Sequence, residues 1–212
     1  MTNSRVNLNK ISKVAELAFE NGIRLHFDSI LLFEHESHPS AYFLSILALE
    51  EFGKYTLLDN FVWHSRIDGR RPDEVKELDR ILWHQLKQKV FANDAEDFIP
   101  KKILDDFRSG KLEVLKQNAV YVGLKRIQRK TNLKSKVITP YSVGEEKAKR
   151  QITIVNDFLI NLTLSVIKDV YIIDTEGVES MLNEDLLREL TEGWKFKGLK
   201  AISRIKQLQS IK

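Results

Sequence analysis

A charged cluster set into an apolar helical pattern constrains this chain more than any other feature. Residues 45–55 read SILALEEFGKY. At roughly 100° per residue, a helix through this stretch carries one stripe of mostly apolar side chains with a carboxylate in its middle: Leu44, Leu47, Ala48, Glu51, Tyr55 and Leu58. Burial of an ionised carboxylate is costly unless the group is paired or hydrogen-bonded. Lys54 lies three residues after Glu51 and four after Glu50, so an internal ion pair is available.

Gly53 lies on the opposite side of the same helix. A glycine inside a helix costs about 1 kcal/mol relative to alanine. The compensation we predict is the close approach of another helix. An alternative stays open for Glu51, because helical proteins also bury a carboxylate merely to fix a neighbouring helix.

Composition restricts the classes of protein to consider. The 212 residues are 42% hydrophobic and 30% charged, which is typical of a soluble globular chain. We predict one domain over residues 1–212, with a core at about 8–173 and a helical extension at about 183–210. The absence of cysteine excludes disulfides, a thiolate nucleophile and cysteine-ligated zinc. No apolar run approaches the roughly 18 residues that cross a membrane, and the first residues lack a signal-peptide core, so we expect a cytoplasmic location.

Hydrophobic periodicity predicts helices and no convincing strand. The expected helices cover about 8–36, 39–67, 73–92, 101–107, 111–124 and 141–173, with last helical portions at 183–192 and 198–210. Small residues in the first helix, such as Ala15, Ala18 and Gly22, would let a partner helix come close. The fold class we predict is therefore all-α, an up-and-down bundle with long antiparallel helices.

Two basic stretches contain no acidic residue. From Val114 to Gly144 the chain has no Asp or Glu, and Trp194 to Lys212 is likewise free of acids. Such stretches can attract phosphate backbones, and the alternative is a solvated loop and a solubilising tail. The candidate RNA-binding residues in the first stretch are Lys125, Arg126, Arg129, Lys130, Lys134 and Lys136.

Several motifs together resemble a known family. The Ala- and Leu-rich first helix followed by ALEEFGK at 48–54 resembles the AbiV abortive-infection family of bacterial phage-defence proteins. His84-Gln-Leu-Lys87 is similar to the H-x-x-K helix of that family. Lys116 to Val122 is similar to its basic residue followed by a Tyr-Val step, although Gly123 stands where the family more often has Asp. The resemblance covers about residues 8–170.

The resemblance implies a HEPN-type helical domain, a class that usually dimerises through its long helices. Active HEPN domains cut RNA without metal by an R-x4–6-H motif. The present chain contains no such motif. Arg80 precedes His84 by too few residues, and Lys116 with Tyr121 has the spacing of the motif but different residue types.

Six residues are candidates for RNA chemistry, which needs a base, an acid and a cation for the phosphorane. Lys54, Lys87 and Lys116 could each serve as the cation, and His84 could transfer protons. Tyr121 could donate a proton or a hydrogen bond. Glu51 could orient Lys54 or act as the base. His84 and Lys87 lie off the stripe Leu78–Leu82–Leu86, so a solvated face is an alternative. On an ideal helix Lys116 and Tyr121 are about 140° apart.

We expect no metal and no cofactor, because no pair of histidines has metal-ligand spacing and a Glu51–His84 site lacks a Glu-x-x-His motif. The function we predict is an antiphage abortive-infection protein that arrests host growth or translation, with RNA as a candidate target. The expected partners are a second copy of the chain, RNA and a phage-encoded activator. The alternative is a non-catalytic RNA- or protein-binding module of a defence or toxin–antitoxin system.

Overall fold

The computed structural model describes residues 7–67, 79, 83–96, 99–124, 126, 127, 130–170, 173 and 175–196. Nearly all of its regular structure is helical, which confirms the all-α fold class. The helices of the described residues are α1 (Leu8–Glu34), α2 (His38–Ile67), α3 (His84–Asp94), α4 (Lys101–Arg108), α5 (Lys111–Asn118), α6 (Glu145–Ile167), α7 (Glu176–Met181) and α8 (Glu184–Gly193). None of them is long and apolar enough to cross a membrane. The helix predicted at 198–210 lies outside the described residues.

The long helices α1 and α2 form an antiparallel pair, and their ends lie within two residues of the predicted ones. A connection of three residues joins them, with Glu36 in the left-handed region at φ 59°. A methyl group added to Gly22 would lie 2.6 Å from the ring of Phe52. The prediction that small residues of α1 permit a close helix approach is therefore confirmed at Gly22. Phe52 also contacts the ring of Phe158 on α6, which places the core between these three helices.

Helix α6 is buried over most of its length but is shorter than predicted. Ala148, Ile152 and Leu159 are fully buried, as the 4-3-4 spacing indicates. The helix begins after Gly144, whose backbone is extended, and ends at Ile167 rather than at 173. The predicted start at 141 was wrong because Pro140–Ser142 forms a separate 3-10 turn.

The third helix was predicted over 73–92, and residues 73–78 and 80–82 of it lie outside the described residues. Trp83 has an extended backbone, and α3 begins after it at His84. Leu78 and Leu82 of the predicted stripe lie outside the described residues, and the stripe does not continue as the buried face of α3. Leu86 is only half-buried, whereas Lys87, Gln88 and Phe91 are buried. The physical reason is that α3 packs against α2 at Gly53, where an added methyl group would lie 2.1 Å from the carbonyl oxygen of Lys87. The predicted close approach of another helix at Gly53 is confirmed.

Helix α5 ends at Asn118, so the predicted helix to 124 was too long, and Val122 is exposed. The chain continues into two short antiparallel pairs, of β1 (Gly123–Leu124) with β4 (Val137–Ile138) and of β2 (Arg126–Ile127) with β3 (Lys130–Thr131). The expectation of no strand was wrong here, because strands of two residues are too short to show alternation. We call residues 123–138 the basic hairpin.

Candidate functional site

The centre of the candidate site is the carboxylate of Glu50 on α2, whose side chain is only 2% exposed. It accepts hydrogen bonds from His84 Nδ1 at 2.7 Å and from Gln88 Nε2 at 2.8 Å, both on α3. It also accepts one from Lys116 Nζ on α5 at 2.8 Å. Three helices therefore meet at one buried charge, and each of the three contacts is a hydrogen bond or an ion pair that offsets its desolvation.

Glu51 was predicted as the central carboxylate, and that prediction was wrong. Its side chain is 16% exposed and forms the predicted ion pair with Lys54 Nζ at 2.7 Å. The residue buried among the helices is its neighbour Glu50. Periodicity did not distinguish the two residues because α2 is buried on more than one side, so its apolar pattern defines no single inward face.

Helix α5 contributes an internal cation to the site. Lys116 Nζ lies 2.8 Å from Glu50 Oε1 and 2.7 Å from Glu113 Oε2. Burial alone would lower the pKa of Lys116, but the hydrogen bonds and charges of Glu113 and Glu50 outweigh burial and raise that pKa. Burial likewise acts to raise the pKa of Glu113, and the hydrogen bond and charge of Lys116 reverse the effect and lower it. The two groups hold each other in the charged state.

Lys87 is a second buried lysine of the site. Its side chain makes no hydrogen bond or ion pair with any residue that the structure describes. Burial lowers the pKa of Lys87, the charge of Glu50 opposes this, and the charge of Lys54 adds to it. The interpretation of a solvated face was wrong for Lys87, since the residue is 6% exposed. Gly53 explains this, because its missing side chain lets the Lys87 backbone approach α2.

His84 connects the buried cluster to the solvent. Its side chain is 54% exposed, while its Nδ1 atom is bonded to Glu50. An ionised carboxylate only accepts hydrogen bonds, so Nδ1 carries the proton of this bond, and in the neutral ring the lone pair is on Nε2. Within the described part of the chain, Nε2 has no hydrogen-bond partner. The arrangement leaves an oriented imidazole nitrogen that is free to take a proton.

Within the described residues, the side chains of Glu50, His84 and Glu113 offer ligand atoms that lie within 4.8 Å of one another, a geometry that a metal ion can use. The donor set, however, already contains a cation. Lys116 Nζ lies within hydrogen-bond distance of both carboxylates, and its charge would repel a divalent ion placed between them. These residues fit an internal ammonium group better than a metal ion.

The structure gathers five of the six candidate catalytic residues into one region. Lys54 and Glu51 act electrostatically on Lys87, which ties their ion pair to the Glu50 cluster. The exception is Tyr121, which lies beyond the end of α5 and is 67% exposed. Its side chain makes no hydrogen bond with a described residue.

Sequence reasoning missed Glu50, Gln88 and Glu113. A signal existed for Glu113, which precedes Lys116 by three residues on one helix. No signal in the sequence singled out Gln88, because only the packing of α3 on α2 turns it inward.

Four of the six candidate RNA-binding residues are described, and they lie on the basic hairpin. Lys134 and Lys136 are exposed, and the backbones of Arg126 and Lys130 pair in β2 and β3. Lys125 and Arg129 lie outside the described residues.

The family model of AbiV, a HEPN group, matches residues 10–160. The chain belongs to the AbiV family. Comparison with curated proteins and with solved structures gave no match. The matched residues run from α1 into α6, so every residue of the Glu50 cluster lies within the AbiV region. The predicted resemblance is confirmed, and the chain has the helical fold of a family of abortive-infection defence proteins.

Proposed function

We propose that this AbiV-family protein arrests host growth or translation during phage infection by cleaving RNA, with His84 as the proton-transferring residue. The observation that supports the proposal is the bond between the buried carboxylate of Glu50 and Nδ1 of the half-exposed His84. A carboxylate that fixes the tautomer and the orientation of an imidazole is a recurring arrangement for a general base.

The reaction we propose is transesterification within RNA. Nε2 of His84 takes the proton of a ribose 2′-hydroxyl, and the 2′-oxygen then bonds to the adjacent phosphorus. The bond from phosphorus to the 5′-oxygen breaks, and the imidazolium returns its proton to the leaving oxygen. The products are a 2′,3′-cyclic phosphate and a 5′-hydroxyl, so protons and charge balance without an added reactant. Lys87 and Lys54 stabilise the charge on the phosphorane.

His84→Gln tests this proposal, because it removes the base but keeps an amide near Glu50. Purified protein would be incubated with end-labelled total bacterial RNA, with and without EDTA. We expect discrete cuts by the wild type that resist EDTA, and a loss of about 100-fold or more in His84→Gln. The matched control is His35→Gln, an exposed histidine in the turn after α1, which should keep full activity. Circular dichroism would check the folding of each variant.

Cuts that persist in folded His84→Gln would refute the role of His84. The same variants would be tested for protection in a phage-plating assay, where we expect wild type and His35→Gln to protect and His84→Gln to fail. Protection by His84→Gln without RNA cleavage would favour the second function below.

The second function is non-catalytic binding of RNA. The observation that favours it is the exposure of Lys134 and Lys136 on the basic hairpin, within the stretch 114–144 that contains no acidic residue. Binding through phosphates should weaken as salt rises. Lys134→Glu with Lys136→Glu should lower RNA affinity and flatten its salt dependence, whereas Lys10→Glu with Lys89→Glu, two exposed lysines elsewhere, should have less effect. Equal effects of both pairs would indicate that only net charge matters.

The remaining features of the proposal concern assembly. We propose a single cytoplasmic domain that pairs with a second copy through its long helices, and that a phage-encoded protein activates it. Light scattering after gel filtration measures the molar mass and so tests for the dimer. A single monomeric species at micromolar concentration would refute the pairing. Co-purification with phage proteins during infection tests the second point.

A further inference from the structure

A cavity of about 260 Å³ lies between α2, α4, α5 and α6. No residue of the Glu50 cluster lines it. Most of its wall is apolar, with Ile103 and Phe107 from α4, Leu112 and Leu115 from α5, and Ile154 from α6. The volume is just below the range of roughly 300–1,000 Å³ that is usual for ligand pockets. At the packing density of protein interiors, it holds about ten to twelve non-hydrogen atoms.

The charges at the rim of the cavity favour an anion. Lys111 Nζ is neutralised by Asp106 at 2.8 Å. Lys147 Nζ donates to the carbonyl oxygen of Ser142 and forms no ion pair with a described residue. Arg150 is exposed and makes no ion pair with any residue in the described ranges. Lys147 and Arg150 therefore leave a positive potential at one side of an otherwise apolar cavity, and a guanidinium group binds carboxylate and phosphate well.

The cavity wall also offers two hydrogen-bond donors that have no partner among the described residues, and one of them is a fully buried amide nitrogen. Gln151 is 3% exposed, and its Nε2 atom is buried without a hydrogen bond to any described residue. Such an unsatisfied amide is destabilising, so its retention needs an explanation. The hydroxyl of the buried Tyr42 has no hydrogen bond with a described residue either. Burial raises the pKa of Tyr42, against the effect of Arg150, so the hydroxyl stays protonated and can donate.

We propose that this cavity binds a small amphipathic anion, with its carboxylate or phosphate group at Arg150 and its apolar body between α4, α5 and α6. The amide of Gln151 and the hydroxyl of Tyr42 would then donate to the ligand. The ligand would contact Leu112 and Leu115, and the same short helix carries Glu113 and Lys116 of the Glu50 cluster. Occupancy would therefore stabilise the helix that completes the candidate site. The proposal goes beyond the proposed function and does not depend on RNA cleavage.

Isothermal titration of the full chain tests the proposal with octanoate and phenyl phosphate, which have the expected size. We expect one saturable site for at least one of these anions, and weaker binding of the neutral octanol and phenol. Arg150→Gln and Gln151→Leu should each weaken binding about tenfold or more. Arg188→Gln, an exposed arginine on α8 outside the cavity, is the matched control and should bind as wild type does.

The titrations distinguish a carboxylate ligand from a phosphate ligand, and ligand binding from a purely structural role of Gln151. Preference for octanoate identifies a carboxylate ligand, and preference for phenyl phosphate identifies a phosphate ester. Gln151→Leu should keep or raise the melting temperature while it loses binding, which a purely structural glutamine would not do. The proposal is overturned if neither anion binds saturably, if both cavity variants bind normally, or if inorganic phosphate binds as tightly as phenyl phosphate.

Discussion

Replacement of Glu50 by glutamine should destabilise the fold far more than the same replacement at Glu51. The carboxylate of Glu50 accepts from three donors: His84 Nδ1, Gln88 Nε2 and Lys116 Nζ. A glutamine has one accepting oxygen, and its NH₂ group would face another donor. At least one buried donor would therefore lose its acceptor, and Lys116 would keep only Glu113 as a counter-charge.

The magnitude follows from the burial of these groups. A hydrogen bond to a charged group contributes about 1.5–3 kcal/mol, and removal of one partner of a buried ion pair costs about 3–5 kcal/mol. We therefore expect Glu50→Gln to lower the free energy of unfolding by about 3 kcal/mol. Glu51 forms a more exposed pair with Lys54, so Glu51→Gln should cost at most about 1 kcal/mol.

Urea unfolding at pH 7, followed by far-UV circular dichroism, measures both variants. A double variant, Glu50→Gln with Lys116→Met, removes both charges of the buried pair. Its cost should be smaller than the sum of the two single costs by about 2 kcal/mol. Equal costs for Glu50→Gln and Glu51→Gln, or strictly additive costs in the double variant, would refute the view that Glu50 is the central buried charge.

Two further perturbations test the packing around the site. Gly53→Ala should lower the free energy of unfolding, measured in urea, by about 2 kcal/mol or more, because the methyl group would lie 2.1 Å from the Lys87 carbonyl oxygen. The control is Gly193→Ala, whose methyl group would have no neighbour within 4 Å. An equal loss of stability in Gly193→Ala would contradict a specific clash at Gly53. Burial lowers the pKa of His26 from 6.5 to about 4, against the effect of its hydrogen bond to Asn156. Because the folded state favours the neutral ring, His26 should contribute a fall in stability of about 3 kcal/mol as pH drops from 6.5 to 4. Asp94 acts in the opposite direction over this range, since burial raises its pKa to about 6, so the contribution of His26 is the difference between the wild type and His26→Gln. His26→Gln should remove that fall, and an unchanged pH profile of the free energy of unfolding would contradict it.

The candidate site was predictable in its residue types more than in its geometry. Five of the six candidate catalytic residues belong to the region around Glu50, because charged residues that interrupt an apolar helical pattern must be paired when the helices pack. Tyr121 was placed on α5, and the structure ends that helix at Asn118. The identity of the central carboxylate also escaped the pattern, because two adjacent glutamates on a helix buried on several sides are equivalent in periodicity.

The sequence by itself determined the fold class, the family and the long helices. Local periodicity and the ALEEFGK stretch are properties of neighbouring residues, so they are readable without a tertiary structure. Only the tertiary structure decided which charge is buried. Glu50, His84 and Lys116 are far apart in the sequence. His84 reaches Glu50 because Gly53 lets α3 approach α2, and Lys116 reaches it because α5 packs beside these two helices. Hydrogen bonds between distant residues depend on helix packing, which the spacing of residues along one helix does not encode.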